Sequence, residues 1–148
     1  MKIHATCVVI GEAGVLIRGA SGSGKSRLAR QLLCAAERAG LFARLVSDDR
    51  TEVEVENGRA IARSVPPIEG KIEARGVGIL ERSFEPAALV RLVVDCAAAP
   101  AARLPHESES SSDLGNVRVP RLVDHGEAGF AEIVLWRLRD LQDTPTTV

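Results

Sequence analysis

Tyrosine is absent from this 148-residue chain, and aromatic residues make up only 3% of it. Its core must therefore be filled by Val, Leu, Ile and Ala. Net charge is also lacking: a formal balance of −1 gives none of the excess basic charge that nucleic-acid binding normally needs, so no nucleic-acid partner is expected. Cysteines are few. Cys7, Cys34 and Cys96 are far apart, odd in number and without metal-ligand spacing, and they read as three reduced core thiols. No apolar run approaches membrane-spanning length, and the N-terminus has no signal-peptide pattern. These absences favour a cytoplasmic protein with no membrane partner. What is there is ordinary for a soluble globular chain, 45% hydrophobic and 26% charged. The length suits one domain, expected over residues 1–143 with a frayed tail over 144–148.

Against this background one stretch stands out. Gly19-Ala20-Ser21-Gly22-Ser23-Gly24-Lys25-Ser26 satisfies G-x-x-x-x-G-K-[ST] at every fixed position. Gly14–Arg18 before it reads as a short buried strand. Ser26–Ala39 after it reads as a helix, with Leu28, Leu32, Ala35, Ala36 and Ala39 at helical spacing. Glycines and serines let the backbone curl so that successive N–H groups face phosphate oxygens, and the helix dipole adds to the attraction. Lys25 can reach β- and γ-phosphates, and the Ser26 hydroxyl can ligate Mg²⁺. A dinucleotide-binding loop would need G-x-G-x-x-G; the order here is G-x-x-G-x-G.

The rest of the chain alternates strands with two helices. Lys2–Ile10 is expected as a strand that turns at Gly11–Gly14 into the one feeding the loop, a hairpin that makes the sheet mixed. Ala43–Ser47 is the next strand. Thr51–Glu56 and Arg59–Arg63 form a hairpin about Asn57-Gly58. Ser64–Gly70 is a loop by its prolines and glycine, and the glycine-punctuated segment Lys71–Leu80 suggests a bend. Leu89–Asp95 is a buried strand. Ala97–Gly115 is expected as a mobile surface loop, followed by an extended Val117–Val123 and an amphipathic helix over Ala128–Gln142. The fold class is α/β, a mixed β-sheet with flanking helices built on a P-loop.

Three further groups could carry chemistry. Asp48 and Asp49 end a strand of the same sheet, where a Walker-B carboxylate belongs: one near Mg²⁺, the other able to accept a proton from an attacking hydroxyl. Because adjacent strand residues face opposite ways, both can serve only if the strand ends or bends there. Glu73 and Arg75 suit metal and phosphate respectively, although surface Glu-x-Arg pairs are common. His4 is a lone histidine on the first strand, of interest only if the fold brings it beside Asp48. His106 and His125 fall in loops and receive no role.

Together, His4, Gly19–Ser26 with Leu45-Val46-Ser47-Asp48-Asp49-Arg50, and Ile72-Glu73-Ala74-Arg75-Gly76-Val77-Gly78-Ile79 resemble the C-terminal catalytic domain of HPr kinase/phosphorylase. The last block is similar to the family signature E-I-R-G-x-G-I, with Ala74 for the usual Ile. The resemblance covers about residues 3–123. It implies a phosphoenolpyruvate-carboxykinase-like fold and transfer of a phosphoryl group from ATP, with Mg²⁺, to a seryl hydroxyl of HPr, the phosphocarrier of the phosphotransferase system. It also implies phosphorolytic removal of that group, and a homo-oligomer that is hexameric in many members. Residue by residue, it implies Asp48 as the general base supported by His4. Lys25 would lie on the phosphates, Mg²⁺ on Ser26 with Asp49 and Glu73, and Arg75 would assist phosphate or partner binding. The chain resembles a short form without the family's N-terminal domain. Where the family carries Gly-Arg-Asn, its arginine tied to phosphorolysis, this chain reads Asp124-His125-Gly126-Glu127-Ala128-Gly129. Two alternatives to a protein-serine kinase remain: a catalytically reduced nucleotide- or phosphate-sensing module, and a small-molecule kinase.

Overall fold

The computed structural model describes residues 1–97 and 109–143. In chain order the elements are β1 (Lys2–Ile3), β2 (Ala5–Ile10), β3 (Ala13–Arg18), α1 (Lys25–Arg38), β4 (Ala43–Ser47), β5 (Thr51–Glu56) and β6 (Arg59–Arg63). They continue as β7 (Lys71–Ala74), β8 (Gly78–Glu81), β9 (Ala87–Cys96), β10 (Ser111–Leu114), β11 (Val117–Asp124) and α2 (Phe130–Asp143). Asn57 and Gly58 both take positive φ, 53° and 73°, as the two-residue hairpin turn between β5 and β6 requires. The expected hairpin at Gly11 is also present and pairs β2 with β3 over their whole length.

The main sheet runs β1-β5-β6-β9-β3-β2-β4, and β11 joins β9 and carries β10. Its mixed character follows from two kinds of connection. Short turns make β2/β3 and β5/β6 antiparallel, while crossovers make β3/β9 and β9/β11 parallel. Both β3 and β4 lie antiparallel to β2, so they run in one direction. The carboxyl ends of β3, β4, β9 and β11 therefore meet at one edge of the sheet, where open α/β sheets form their crevices.

Alternation along β3 splits the core in two. Val15 and Ile17 face α1 and α2 and pack with Leu28, Leu32, Val134 and Leu138. Leu16 faces the other way, where the sheet curls so that Val53, Ala62, Leu114 and Val119 cover Cys7 and Val93. Pro120, which lacks an N–H, sits at the last β10 pairing of β11, just before β11 turns to β9 at Arg121.

Several expectations change. Lys2–Ile10 is two strands, because the chain breaks at His4 between the β5 edge and the sheet centre. Lys71–Leu80 is a two-stranded hairpin of its own, β7/β8. Ser111–Leu114, expected inside a loop, is a strand bonded to β11; the remainder of that loop, residues 98–108, lies outside the described residues, as does the 144–148 tail. The cysteines are not all core thiols. Cys7 is buried, but Cys34 is exposed on α1 and Cys96 is half-buried. No described helix is long and apolar enough to cross a membrane.

Candidate functional site

The segment between β3 and α1 is held by conformations that only glycine adopts freely. Gly24 sits at φ 100° immediately before α1. A side-chain carbon added at Gly19 would come within 2.5 Å of Ser23 Oγ. The curl is closed by the Ser23 N–H donating to the Ala20 carbonyl at 3.0 Å. No side chain caps α1, so the first-turn N–H groups open toward the loop without intrahelical acceptors. Lys25 is buried, with its ammonium donating to the carbonyls of Gly19 at 2.8 Å and Ala20 at 3.1 Å and lying 3.4 Å from Asp49 Oδ1.

The acidic pair meets this loop because β4 and β3 end at the same edge. The strand stops at Ser47, and Asp49 adopts a left-handed φ of 63°. That is the break needed for both carboxylates to serve, and a left-handed non-glycine residue is the kind of strain that concentrates at functional positions. The turn is fixed by Arg50 N–H donating to the Asp48 carbonyl at 2.7 Å and Ser47 Oγ donating to the Arg50 carbonyl. Asp48 is buried and accepts three hydrogen bonds: from Ser26 Oγ at 2.6 Å and Thr6 Oγ1 at 2.8 Å on one oxygen, and from the Glu73 N–H at 2.9 Å on the other. Thr6 also accepts the Asp49 N–H at 3.1 Å. A single hydroxyl on β2 thus fixes both aspartates, and β7 is tied to them through Glu73.

A cleft of about 410 Å³ opens above the loop. It is lined by Ser21–Arg27, Arg30, Asp49, Glu73 and Arg75. The Arg75 guanidinium lies over Gly22, 4.0 Å from where a Cβ would stand. Cations outnumber carboxylates in this lining, so the cleft suits a polyanion. Ser23 Oγ and Arg30 Nε are buried with no hydrogen-bond partner among the described residues, as polar atoms waiting for a ligand would be. Ser26, Asp49 and Glu73 bring oxygen atoms to this lining, the donor type that Mg²⁺ takes, one or two carboxylates completed by phosphate oxygens and water; among the described residues no three acidic, histidine or cysteine side chains form a metal-holding group of their own.

The structure therefore brings Lys25, Ser26, Asp48, Asp49, Glu73 and Arg75 to one place. His4 is different. It is exposed and does not line this cleft. The side chain that does bond Asp48 from that part of the chain is Thr6. Sequence reading missed Thr6, Arg27 and Arg30. The first is legible only from the β2/β4 register, where Cys7 pairs with Ser47. The two arginines are visible only as i, i+3 neighbours on the loop-facing side of α1. Cys96 is also nearby, with its Cβ 3.2 Å from a carbon built on Gly19. Burial, with a smaller contribution from Asp124, pushes its thiol up to about 11, which keeps it protonated and unreactive at neutral pH.

Behind the loop, Asp95 accepts Arg18 Nε at 2.7 Å and Arg18 Nη2 at 2.8 Å, and Arg121 Nε as well. Burial alone would raise its pKa, but the two guanidiniums outweigh burial and hold it below the ordinary carboxylate value. The cluster ties the end of β3 to β9 and β11 directly beneath the loop.

Residues 1–85 match a family model described as the HPr Serine kinase C-terminal domain. The chain belongs to this family. Among curated members it is 35% identical over 80 residues to the HPr kinase/phosphorylase of Clostridium beijerinckii, a match covering 54% of this chain and 24% of that protein. It is 40% identical over 79 residues to HPr kinase/phosphorylase 1 of Oceanobacillus iheyensis, covering 53% and 24%. The matched region thus spans about a quarter of the length of these relatives. The solved Hpr(Ser) kinase/phosphatase of Coxiella burnetii superposes with a TM-score of 0.76 at 22% identity, over 96% of this chain and 90% of that one. That likeness shows a shared mixed α/β fold.

Proposed function

We propose that this chain is a Mg²⁺- and ATP-dependent kinase that phosphorylates a seryl hydroxyl of an HPr-like phosphocarrier protein, and that Gly19–Ser26 is its P-loop. The observation that carries the reading is the facing of two elements remote in sequence: the Lys25/Ser26 end of the loop and the Asp48/Asp49 turn, 2.6 Å apart at Ser26 Oγ and Asp48 Oδ1. Family membership supports an HPr-like acceptor, since the matched relatives are named HPr kinase/phosphorylase.

Mg²⁺ held at Ser26 and the carboxylate edge would neutralise β- and γ-phosphate oxygens. The chain's own residues do the rest. Loop N–H groups and Lys25 hold the phosphates, and Arg27, Arg30 and Arg75 balance the remaining charge along the cleft. A carboxylate of the acidic pair accepts the proton of the acceptor hydroxyl. The hydroxyl oxygen bonds to the γ-phosphorus as the bond from that phosphorus to the β–γ bridging oxygen breaks, and ADP departs. Thr6 and the Glu73 N–H hold Asp48 against Ser26, so the oxygens are positioned before the reactants arrive.

Labelled ATP, Mg²⁺ and purified HPr test the proposal. Label on HPr supports it. Nucleotide binding with no labelled product would replace it with a sensing module, and label on a metabolite with a small-molecule kinase. Lys25→Ala should weaken nucleotide binding by about tenfold or more, the scale of one lost charge-assisted contact.

A further inference from the structure

The first two residues of β2 hold the acidic turn from behind. On the backbone side, the Ala5 N–H donates to the Asp49 carbonyl at 3.1 Å, and Thr51 Oγ1 donates to the Ala5 carbonyl at 2.8 Å. On the side-chain side, Thr6 Oγ1 donates to Asp48 Oδ1 at 2.8 Å and accepts the Asp49 N–H at 3.1 Å. An irregularity in β4 sets this register. Consecutive residues Val8 and Cys7 of β2 pair with Leu45 and Ser47, so Val46 is an extra residue in β4. Bulges of this kind re-aim the side chains that follow them. Without the extra residue Ser47 would stand opposite Thr6; with it, Asp48 does. The hydroxyl's direction is fixed as well. An amide N–H can only donate, so the Asp49 N–H takes a lone pair of Thr6 Oγ1, and the single Thr6 proton goes to Asp48.

We propose, resting on the kinase reading above, that Thr6 is a positioning residue for phosphoryl transfer, and that its one hydroxyl couples the placement of Asp48 to that of Asp49. Thr6 is fully buried and does not line the cleft above the loop, so its effect passes through the two aspartates. It grips one by its carboxylate and the other by its backbone. The second grip falls on the residue with a φ of 63°, a conformation that a non-glycine residue keeps only where its surroundings enforce it. Removing the hydroxyl therefore releases the Asp48 carboxylate from β2 and loosens the Asp49 turn in one step. The proton acceptor and the metal-side carboxylate are misplaced together, whichever aspartate plays each part. Small displacements of this kind act on the chemical step more than on the binding of reactants.

The test compares the full chain with Thr6→Val, which keeps the side chain's shape without its hydroxyl, and with Thr6→Ser, which keeps the hydroxyl. For each, the melting temperature, nucleotide affinity with Mg²⁺ and in a chelator, and KM and kcat for HPr phosphorylation are measured. Thr6→Val should lower kcat by about tenfold or more, the scale of a lost partner behind a reacting group, and should reduce the gain in nucleotide affinity that Mg²⁺ brings. KM for HPr and affinity in the chelator should be unchanged, and Thr6→Ser should restore most of the loss. Unchanged kcat in Thr6→Val overturns the proposal and leaves the kinase intact. A loss that Thr6→Ser shares in full assigns the side chain to packing and overturns it too, as does a Thr6→Val chain that is unfolded at the assay temperature. If the wild type binds nucleotide but labels no HPr, the kinase reading fails on its own. The Mg²⁺-dependent gain in affinity then decides Thr6: lost in Thr6→Val and regained in Thr6→Ser, it sustains the coupling; kept in Thr6→Val, it removes it.

Discussion

Ser26 Oγ donates to Asp48 Oδ1 at 2.6 Å, across 22 residues of sequence and between the first turn of α1 and the end of β4. This contact makes the metal hypothesis specific. Ser26→Ala should remove a hydroxyl ligand while leaving the loop backbone in place. Nucleotide affinity measured with Mg²⁺ should fall by about tenfold, a loss on the scale of one contact to a charged group. Affinity measured in a chelator should be unchanged. An equal loss under both conditions would mean that the serine serves the loop and not a metal.

Beneath the loop, Asp95 supports a pH prediction. Its pKa is depressed in the folded state because Arg18 and Arg121 outweigh the opposing effect of burial. A depressed carboxylate contributes stability that is complete above its unfolded pKa, about 3.9, and is lost as pH falls through the folded value. Melting temperature should therefore decline on acidification below about pH 4 in the wild type. Asp95→Asn should be less stable at neutral pH and should show a shallower acid decline. Parallel acid limbs for the two proteins would remove Asp95 from the account.

Gly14 tests the parallel β3/β9 pairing that positions the loop. Its φ is unexceptional, but an added Cβ would stand 2.7 Å from the Leu89 carbonyl oxygen and 3.1 Å from the Ala88 side chain. Gly14→Ala should therefore cost about 1–3 kcal/mol by overpacking and lower the melting temperature by roughly 3–10 °C. No change would mean that the strands can separate locally without cost.

Much of this was legible in the sequence because the strongest signals are local. The strands Ala43–Ser47, Thr51–Glu56 and Arg59–Arg63 fall where alternation and the Asn57-Gly58 turn put them. The loop and the helix after it follow from spacing alone. What was not legible depends on register and topology. Thr6 looks like any strand residue until β2 pairs with β4 and sets it beside Asp48. His4 shares its strand pattern with Thr6, yet the chain breaks there and leaves it exposed. Ser111–Leu114 has the composition of a loop and becomes a strand because β11 offers it an edge. Glu73 and Arg75 read as an ordinary surface pair until the β7/β8 hairpin carries them over the cleft.

The central claim is that the loop and the Asp48/Asp49 turn form one phosphoryl-transfer site. Its most direct test is the rate of label transfer from ATP to HPr in Asp48→Asn and Asp49→Asn, with nucleotide affinity measured alongside with and without Mg²⁺. Transfer should fall by at least about a hundredfold in each variant, the scale of a lost general base or metal-side carboxylate. The variant that keeps its Mg²⁺-dependent affinity identifies the proton acceptor, and the one that loses it identifies the metal-side carboxylate. Near-wild-type transfer in both variants would contradict the account.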